Sequence, residues 1–312
     1  MSLRPARDAP VDGRLQHVLR VGCALKGVGE TDPGKKARYV IVTMGPTGSG
    51  KSKLAPAVAG RLDIDKDCPL EHILVDDLVE ANDAYKRRVL SLLLEYRAGK
   101  TEDEFKEIML SPSKEMYAAF EEAYHTVRKQ ALCRKKLHEG SCDNANDTRL
   151  QIAITQKKNV VFEMTGEYPV AWLRGFVDGV APAGVKYDVV FAYSLVDFTK
   201  LLGRNKERAY KGAGEFLNDP MNNNAPRLPD VSDDGTCDRA NFLRKVNRIK
   251  RGIHNAVKAG KESGMDRIML YDNNGTKMLL LVDYTAENAQ QQRVAVAETI
   301  EASMKVPATC LL

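Results

Sequence analysis

Gly45-Pro46-Thr47-Gly48-Ser49-Gly50-Lys51-Ser52 is the stretch on which the reading of this chain turns. The octet fits the pattern G-x-x-x-x-G-K-[ST], a loop whose glycines let backbone N–H groups converge on a phosphate. Its flanks are the ones such a loop needs. Arg38 to Met44 (RYVIVTM) is β-branched and aromatic, which predicts a buried strand. Lys51 to Leu62 (KSKLAPAVAGRL) carries alanines and leucines at helical spacing, so the loop runs into a helix whose positive dipole end faces the anion. Lys51 is expected to reach β/γ oxygens and Ser52 to hold a Mg²⁺ ion through its hydroxyl. A glycine-rich turn that binds nothing would not require both flanks.

Working outward, the 312 residues allow one large or two modest domains, and a hydrophobic fraction of 43% supports a sizeable core. The net charge of +5 suits a phosphorylated substrate and is too small to demand nucleic acid. Cys23, Cys68, Cys133, Cys142, Cys237 and Cys310 are scattered without a C-x-x-C pair, which points to free thiols in a reducing compartment. Residues 1–22 mix charges with no continuous apolar run, so no signal peptide is expected. No run reaches the length of a membrane span. Cys310-Leu311-Leu312 has one residue too few after the cysteine for prenylation. A cytoplasmic location follows as an expectation.

Residues 1–37 read as an N-terminal extension, and 38–312 as one domain of alternating strands and helices. That alternation predicts a parallel sheet covered on both faces. Ile73-Leu74-Val75-Asp76-Asp77 is the second strand, ending in two carboxylates at the edge where open parallel sheets bind ligands. Residues 78–147 form an insertion, helical to about 139, with apolar faces at Val89, Leu90, Leu93 and Leu94, at Phe105, Ile108 and Met109, and from Met116 to Val127. A polar turn from Ser141 to Asp147 leads to a short helix. Asn159 to Met164 (NVVFEM) is the third strand and Lys186 to Val196 the fourth. The following helix, Asp197 to Lys211, sets Arg204 and Arg208 one turn apart on one face. Residues 212–237 are rich in Asn, Pro and Asp and read as a mobile loop. A basic helix spans 239–260. Asp266 to Tyr271 and Lys277 to Tyr284 then form a C-terminal β-hairpin across Asn274-Gly275, before a last helix over 286–305.

The loop implies a nucleoside triphosphate but not a reaction. Asn205-Lys206-Glu207-Arg208 is the nearest approach to a guanine-reading N-K-x-D and ends in arginine, which excludes a GTPase. A motor ATPase would end an apolar strand in Asp-Glu, and Val160-Val161-Phe162-Glu163 supplies the glutamate alone. A small kinase accommodates all the pieces. Phosphoryl transfer needs a metal ligand, cations over the γ-phosphate and a carboxylate that accepts the acceptor's proton. Ser52, with Glu163 beside it, serves the first need, and Lys51, Arg204 and Arg208 the second. Asp76 or Asp77 serves the third, against the alternative that these two only cap a helix. A polynucleotide-directed kinase or ATPase using the basic helix is the competing reading, and a nucleotide-binding regulatory protein with little turnover the third.

The order of elements resembles the zeta-toxin-like P-loop kinases. The matching pieces are Gly45 to Ser52, Asp76-Asp77, the strand Asn159 to Thr165 with its Glu-x-Thr ending, Asp197 to Tyr210, and Asp266 to Asn273. The resemblance implies a P-loop, nucleotide-kinase-like α/β fold with a five-stranded parallel core and Mg-ATP as donor. It implies phosphate contacts along Gly45, Pro46, Thr47, Gly48, Ser49, Gly50, Lys51 and Ser52. It also implies Asp76 or Asp77 as base, and Asp272 and Asn273 near the adenine. Family members act on hydroxyls of small molecules, nucleotide-activated amino sugars among them, and an inhibitory protein partner is a matter the residues leave open. The family usually has an arginine just after the strand-two acids, whereas this chain has Leu78-Val79-Glu80.

Overall fold

The computed structural model describes residues 38–64, 70–138, 141–167, 170–228 and 240–308, without the side chains of 75, 77, 130–138, 141–146, 240 and 241. The expectations for residues 1–37 and for the cysteine side chains lie outside what is described. Strand β1 (Arg38–Met44) enters the phosphate loop and helix α1 (Lys51–Arg61) leaves it. Next come β2 (Glu71–Ile73) and four helices, α2 (Val75–Glu80), α3 (Asp83–Arg97), α4 (Glu102–Leu110) and α5 (Lys114–Leu132). A small hairpin of β3 (Cys133–His138) and β4 (Ser141–Asn144) precedes α6 (Ala145–Thr155), β5 (Val160–Met164) and α7 (Trp172–Val180). The chain continues through β6 (Tyr187–Leu195), α8 (Phe198–Asn218) and α9 (Ala240–Ala259). It closes with β7 (Arg267–Asp272), β8 (Leu279–Thr285), α10 (Ala286–Gln291) and α11 (Arg293–Ser303).

Among the described residues the main sheet has six strands in the order β2-β5-β1-β6-β7-β8. The first five are parallel, and β8 pairs antiparallel with β7 as the hairpin expectation required. The fold is a P-loop α/β fold. Side-chain alternation along β1 divides the core. Val40, Val42 and Met44 pack with Phe162, Phe191, α7 and α9 on one face, while Ile41 packs with Leu54 and Val58 of α1 on the other. Helices α2 to α5 build a separate apolar cluster, in which Val89, Leu93, Phe105, Met109, Met116 and Phe120 meet Ala209, Ala213 and Phe216 from the second half of α8. Asn82 caps α3, and Thr101 with Glu104 forms a capping box on α4, so these two insertion helices start where their sequence directs.

Several boundaries differ from expectation. β2 stops at Ile73, and Asp76 and Asp77 stand in the first turn of α2 rather than at a strand end. Pairing on one side only leaves the edge strand β2 short, and acidic residues favour a helix start. The insertion is helical only to Leu132. Its basic run Cys133 to His138 pairs as a strand without the apolar alternation that would have marked it. Helix α8 runs to Asn218, through Gly212 and Gly214, because Ala213 and Phe216 bury against the helical cluster and that packing outweighs glycine's weak helix propensity. The expected mobile loop therefore loses 212–218 to α8. Its next part is packed, with Ala225 and Leu228 buried, and its remainder from 229 lies outside the described residues. The final helix is broken in two at Gln292.

Candidate functional site

The phosphate loop is shaped by its glycines. Gly45, Gly48 and Gly50 have φ of 153°, 81° and 86°, a region that L side chains rarely enter. The space around them is also taken, because a Cβ on Gly48 would lie 2.3 Å from Asn205 Oδ1 and one on Gly50 2.4 Å from Asn273 Nδ2. Gly50 caps α1 with no side-chain bond, leaving the first helical N–H groups to a ligand. Lys51 Nζ donates to the carbonyls of Gly45 (3.1 Å) and Pro46 (3.4 Å) and lies 3.5 Å from Glu163 Oε1. The sheet arranges that last contact. β1 and β5 are neighbours with Thr43 level with Glu163, so the glutamate ends its strand beside the loop. Ser52 is exposed in the first turn of α1.

Facing the loop is a second group of charges. Asp76 on α2 accepts a short hydrogen bond from the Tyr124 hydroxyl on α5, and Arg227 Nη1 reaches its other oxygen at 3.3 Å. The Arg227 guanidinium lies 4.1 Å from the centre of the Tyr124 ring, and its second nitrogen is 3.8 Å from Glu121. Burial alone would raise the Asp76 carboxyl. Arg227, the Tyr124 hydroxyl, Lys51 and Arg208 together outweigh it and hold the group below its ordinary value. Burial pushes the Tyr124 hydroxyl well up, with Arg227 opposing and Asp76 adding to the rise, so it stays protonated as a donor. Asp76 is thus engaged by side chains and is not spent as a helix cap. The Asp77 side chain lies outside the described residues.

Arg208 Nη2 is 3.7 Å from buried Glu80, one turn beyond Asp76. Arg204 takes a different part, donating through Nη2 to the carbonyl of Asn273 at 2.9 Å, while its Nη1 is buried without a hydrogen-bond partner among the described residues. A cavity of about 440 Å³ opens between α8 and the returning chain, lined by Glu80, Arg204, Arg208, Lys211 and Arg227 among others. A smaller one of about 30 Å³, room for a water, lies between Thr47, Asn205, Arg208 and Arg227. Arg208 and Arg227 line both, so they stand between the phosphate loop and the larger cavity.

No protein-family model matches the chain, and no curated protein matches it. Among solved structures, a chain from the PezAT chromosomal toxin–antitoxin system of the human pathogen Streptococcus pneumoniae is similar over 86% of this chain and 88% of its own, with 12% identity and a TM-score of 0.38. A candidate kinase from Chloroflexus aurantiacus is similar over 64% of this chain and 84% of its own, with 14% identity and a TM-score of 0.25. Likenesses this distant carry no argument about chemistry. The site's own geometry does.

That geometry brings together Gly45 to Ser52, Glu163, Asp76 and Arg208. It sets Asp272 and Asn273 to work on the protein itself. Asp272 accepts from the Asn274 N–H at 2.9 Å, and the Asn273 amide is buried against the carbonyl of Ser49 at 2.7 Å. Arg227 and Tyr124 were not singled out from sequence, nor were Asn205 and Ser194, which also reach the loop. The one available signal for Arg227 was its place between Pro226 and Pro229, where a long cation is held on a constrained loop. The basic helix α9 pairs at least two of its charges, with Arg248 3.5 Å from Glu167 and Lys250 2.8 Å from Glu301. Among the described residues no helix is long and apolar enough to cross a membrane, and no group of three or more His, Cys, Asp or Glu is assembled for a metal.

Proposed function

We propose that this chain is an ATP- and Mg²⁺-dependent kinase that transfers the γ-phosphate to a hydroxyl of a small molecule, nucleotide-activated sugars being one candidate class. The observation that carries the reading is that Arg208 and Arg227, the latter bonded to Asp76, line both a small cavity that reaches Thr47 of the glycine-shaped loop and the larger cavity beside α8. The residues fit a triphosphate, since a loop whose Gly48 and Gly50 leave no space for a Cβ opens onto an uncapped helix start. They fit its metal through the exposed Ser52 hydroxyl and through Glu163. Mg²⁺, when bound, would neutralise charge between the β- and γ-phosphates.

In this reading Lys51 exchanges the Gly45 and Pro46 carbonyls for phosphate oxygens. Arg208 and Arg227 neutralise the transferring group from the cavity side, and Asp76 holds the acceptor hydroxyl. The acceptor oxygen bonds to the γ-phosphorus, the bond to the β–γ bridging oxygen breaks, ADP leaves, and the hydroxyl proton passes to Asp76. The polynucleotide-directed alternative draws on α9, whose paired charges give it little support. A metabolite library tested for acceptor-dependent ATP consumption decides the matter, with Lys51→Ala as control. Consumption that needs no small molecule, or that survives in Lys51→Ala, would sink the proposal.

A further inference from the structure

A phosphate-binding loop works by turning its N–H groups inward to the anion, which turns its carbonyls back toward the protein. Backbone carbonyls buried there must be paired, or the conformation costs free energy even before ligand arrives. This chain pairs them in two ways. Gly45 and Pro46 are held by Lys51 Nζ, a flexible amine that the proposed mechanism moves to the phosphates. Thr47 and Ser49 are held by short, fixed side chains. Asn205 Nδ2 donates to the Thr47 carbonyl at 3.2 Å, and the Ser49 carbonyl accepts from Asn273 Nδ2 at 2.7 Å and from Ser194 Oγ at 2.5 Å.

These three donors come from three separate elements: α8, the turn after β7, and the end of β6. They are also fixed to one another. The Asn273 N–H donates to the Leu195 carbonyl next to Ser194 (2.9 Å), and the Asn273 carbonyl accepts from Arg204 (2.9 Å), which neighbours Asn205. Ser194, Asn205 and Asn273 are all buried, at 1%, 6% and 6% exposure. Both amides press on the loop closely enough that Gly48 and Gly50 have no room for a Cβ.

We infer that Asn205, Asn273 and Ser194 are positioning residues that preorganise the phosphate loop for the triphosphate, with Arg204 supporting Asn273 from behind. The inference rests on the nucleotide-binding reading above, and it gives Arg204, through its bond to the Asn273 carbonyl, a supporting role distinct from that of Arg208 and Arg227. Because the loop is set before ligand enters, these side chains contribute to phosphate affinity without taking part in transfer.

The test is binding, measured by calorimetry with Mg-ATP and separately with tripolyphosphate, which reads the loop without the base. Asn205→Ala and Asn273→Ala should each weaken both ligands by the same factor, roughly tenfold for a lost bond to a buried carbonyl. In ATP consumption the loss should fall on the KM for nucleotide more than on kcat. Asn273→Asp keeps the side chain's size and turns its donor into an acceptor, so it should weaken binding at least as much as Asn273→Ala. If Asn273→Ala does not fold, Ser194→Ala and Asn205→Ala carry the same test from other elements. Folded variants that bind both ligands as wild type does would overturn the inference, and so would a loss of rate with affinity unchanged. Wild-type protein that binds neither ligand would instead overturn the nucleotide-binding reading itself.

Discussion

At the scale of the residue, Lys51 and Asp76 carry separable consequences. Lys51 lies on two loop carbonyls with Glu163 3.5 Å away, inside the glycine-shaped loop. Replacing it by alanine removes the one cation inside the loop. ATP turnover should fall by roughly a hundredfold or more, the scale of losing a preorganised charge at a transition state, while thermal unfolding stays close to wild type. Asp76 makes its prediction through pH. Its carboxyl is raised by burial but held lower overall by Arg227, Tyr124, Lys51 and Arg208, so it is ionised throughout the neutral range. A lowered carboxylate contributes stability above the ordinary aspartate value and loses it as pH falls through the lowered one. Arg227→Met removes the largest opposing influence and leaves the burial. The Asp76 titration, followed by carbon-detected NMR of its carboxyl, should then move to higher pH than in wild type. No movement would mean that Arg227 does not govern this carboxylate.

At the scale of the element, the same pair shows what could be read in advance. Strand β1, the loop and α1 were legible because their periodicity and glycines are local signals, and the parallel order followed from repeated strand–helix units. Glu163 was legible as a charge ending an apolar strand. Arg227 was not, because it meets Asp76 across 151 positions of sequence and no local pattern announces that contact. The hairpin was hidden by the basic composition of β3 and the turn-like polar residues of β4, and the full length of α8 by glycines that only tertiary packing overrides. Helix α5 adds a prediction here, since Tyr124 supplies both a hydroxyl to Asp76 and a ring under Arg227. Tyr124→Phe removes the hydroxyl alone, and Tyr124→Ala removes the platform too. Turnover should fall by a few-fold in the first and by at least tenfold in the second, in line with a cation–ring contact of about 1 kcal/mol or more. Equal losses in the two variants would show that the ring does not hold the arginine.

At the scale of the whole molecule, two apolar cores meet at one helix. The first turn of α8, with Phe198 and Leu201, packs in the sheet core, and its second half, with Ala209, Ala213 and Phe216, packs in the helical cluster. Asn205 and Arg208 fall between, where the phosphate loop and the cavity adjoin. The helical cluster also contains Tyr124, Ala225 and Leu228, so it positions Arg227 and the far side of Asp76. The core on the α1 face, with Leu54 and Val58, supports the loop instead. Phe216→Ala should cost about 3–5 kcal/mol and Leu54→Ala about 2–5 kcal/mol in denaturant unfolding, the ranges for emptying a well-packed site. Their functional effects should part. Phe216→Ala loosens the cluster that positions Arg227 and Asp76, so under the proposed mechanism turnover should drop more than nucleotide affinity. Leu54→Ala loosens the helix that follows the loop, so under the proposed mechanism affinity should drop more than turnover. Nucleotide calorimetry and saturating turnover on both variants separate the two effects. Losses in the same proportion for both would mean that the cores serve the site as one body.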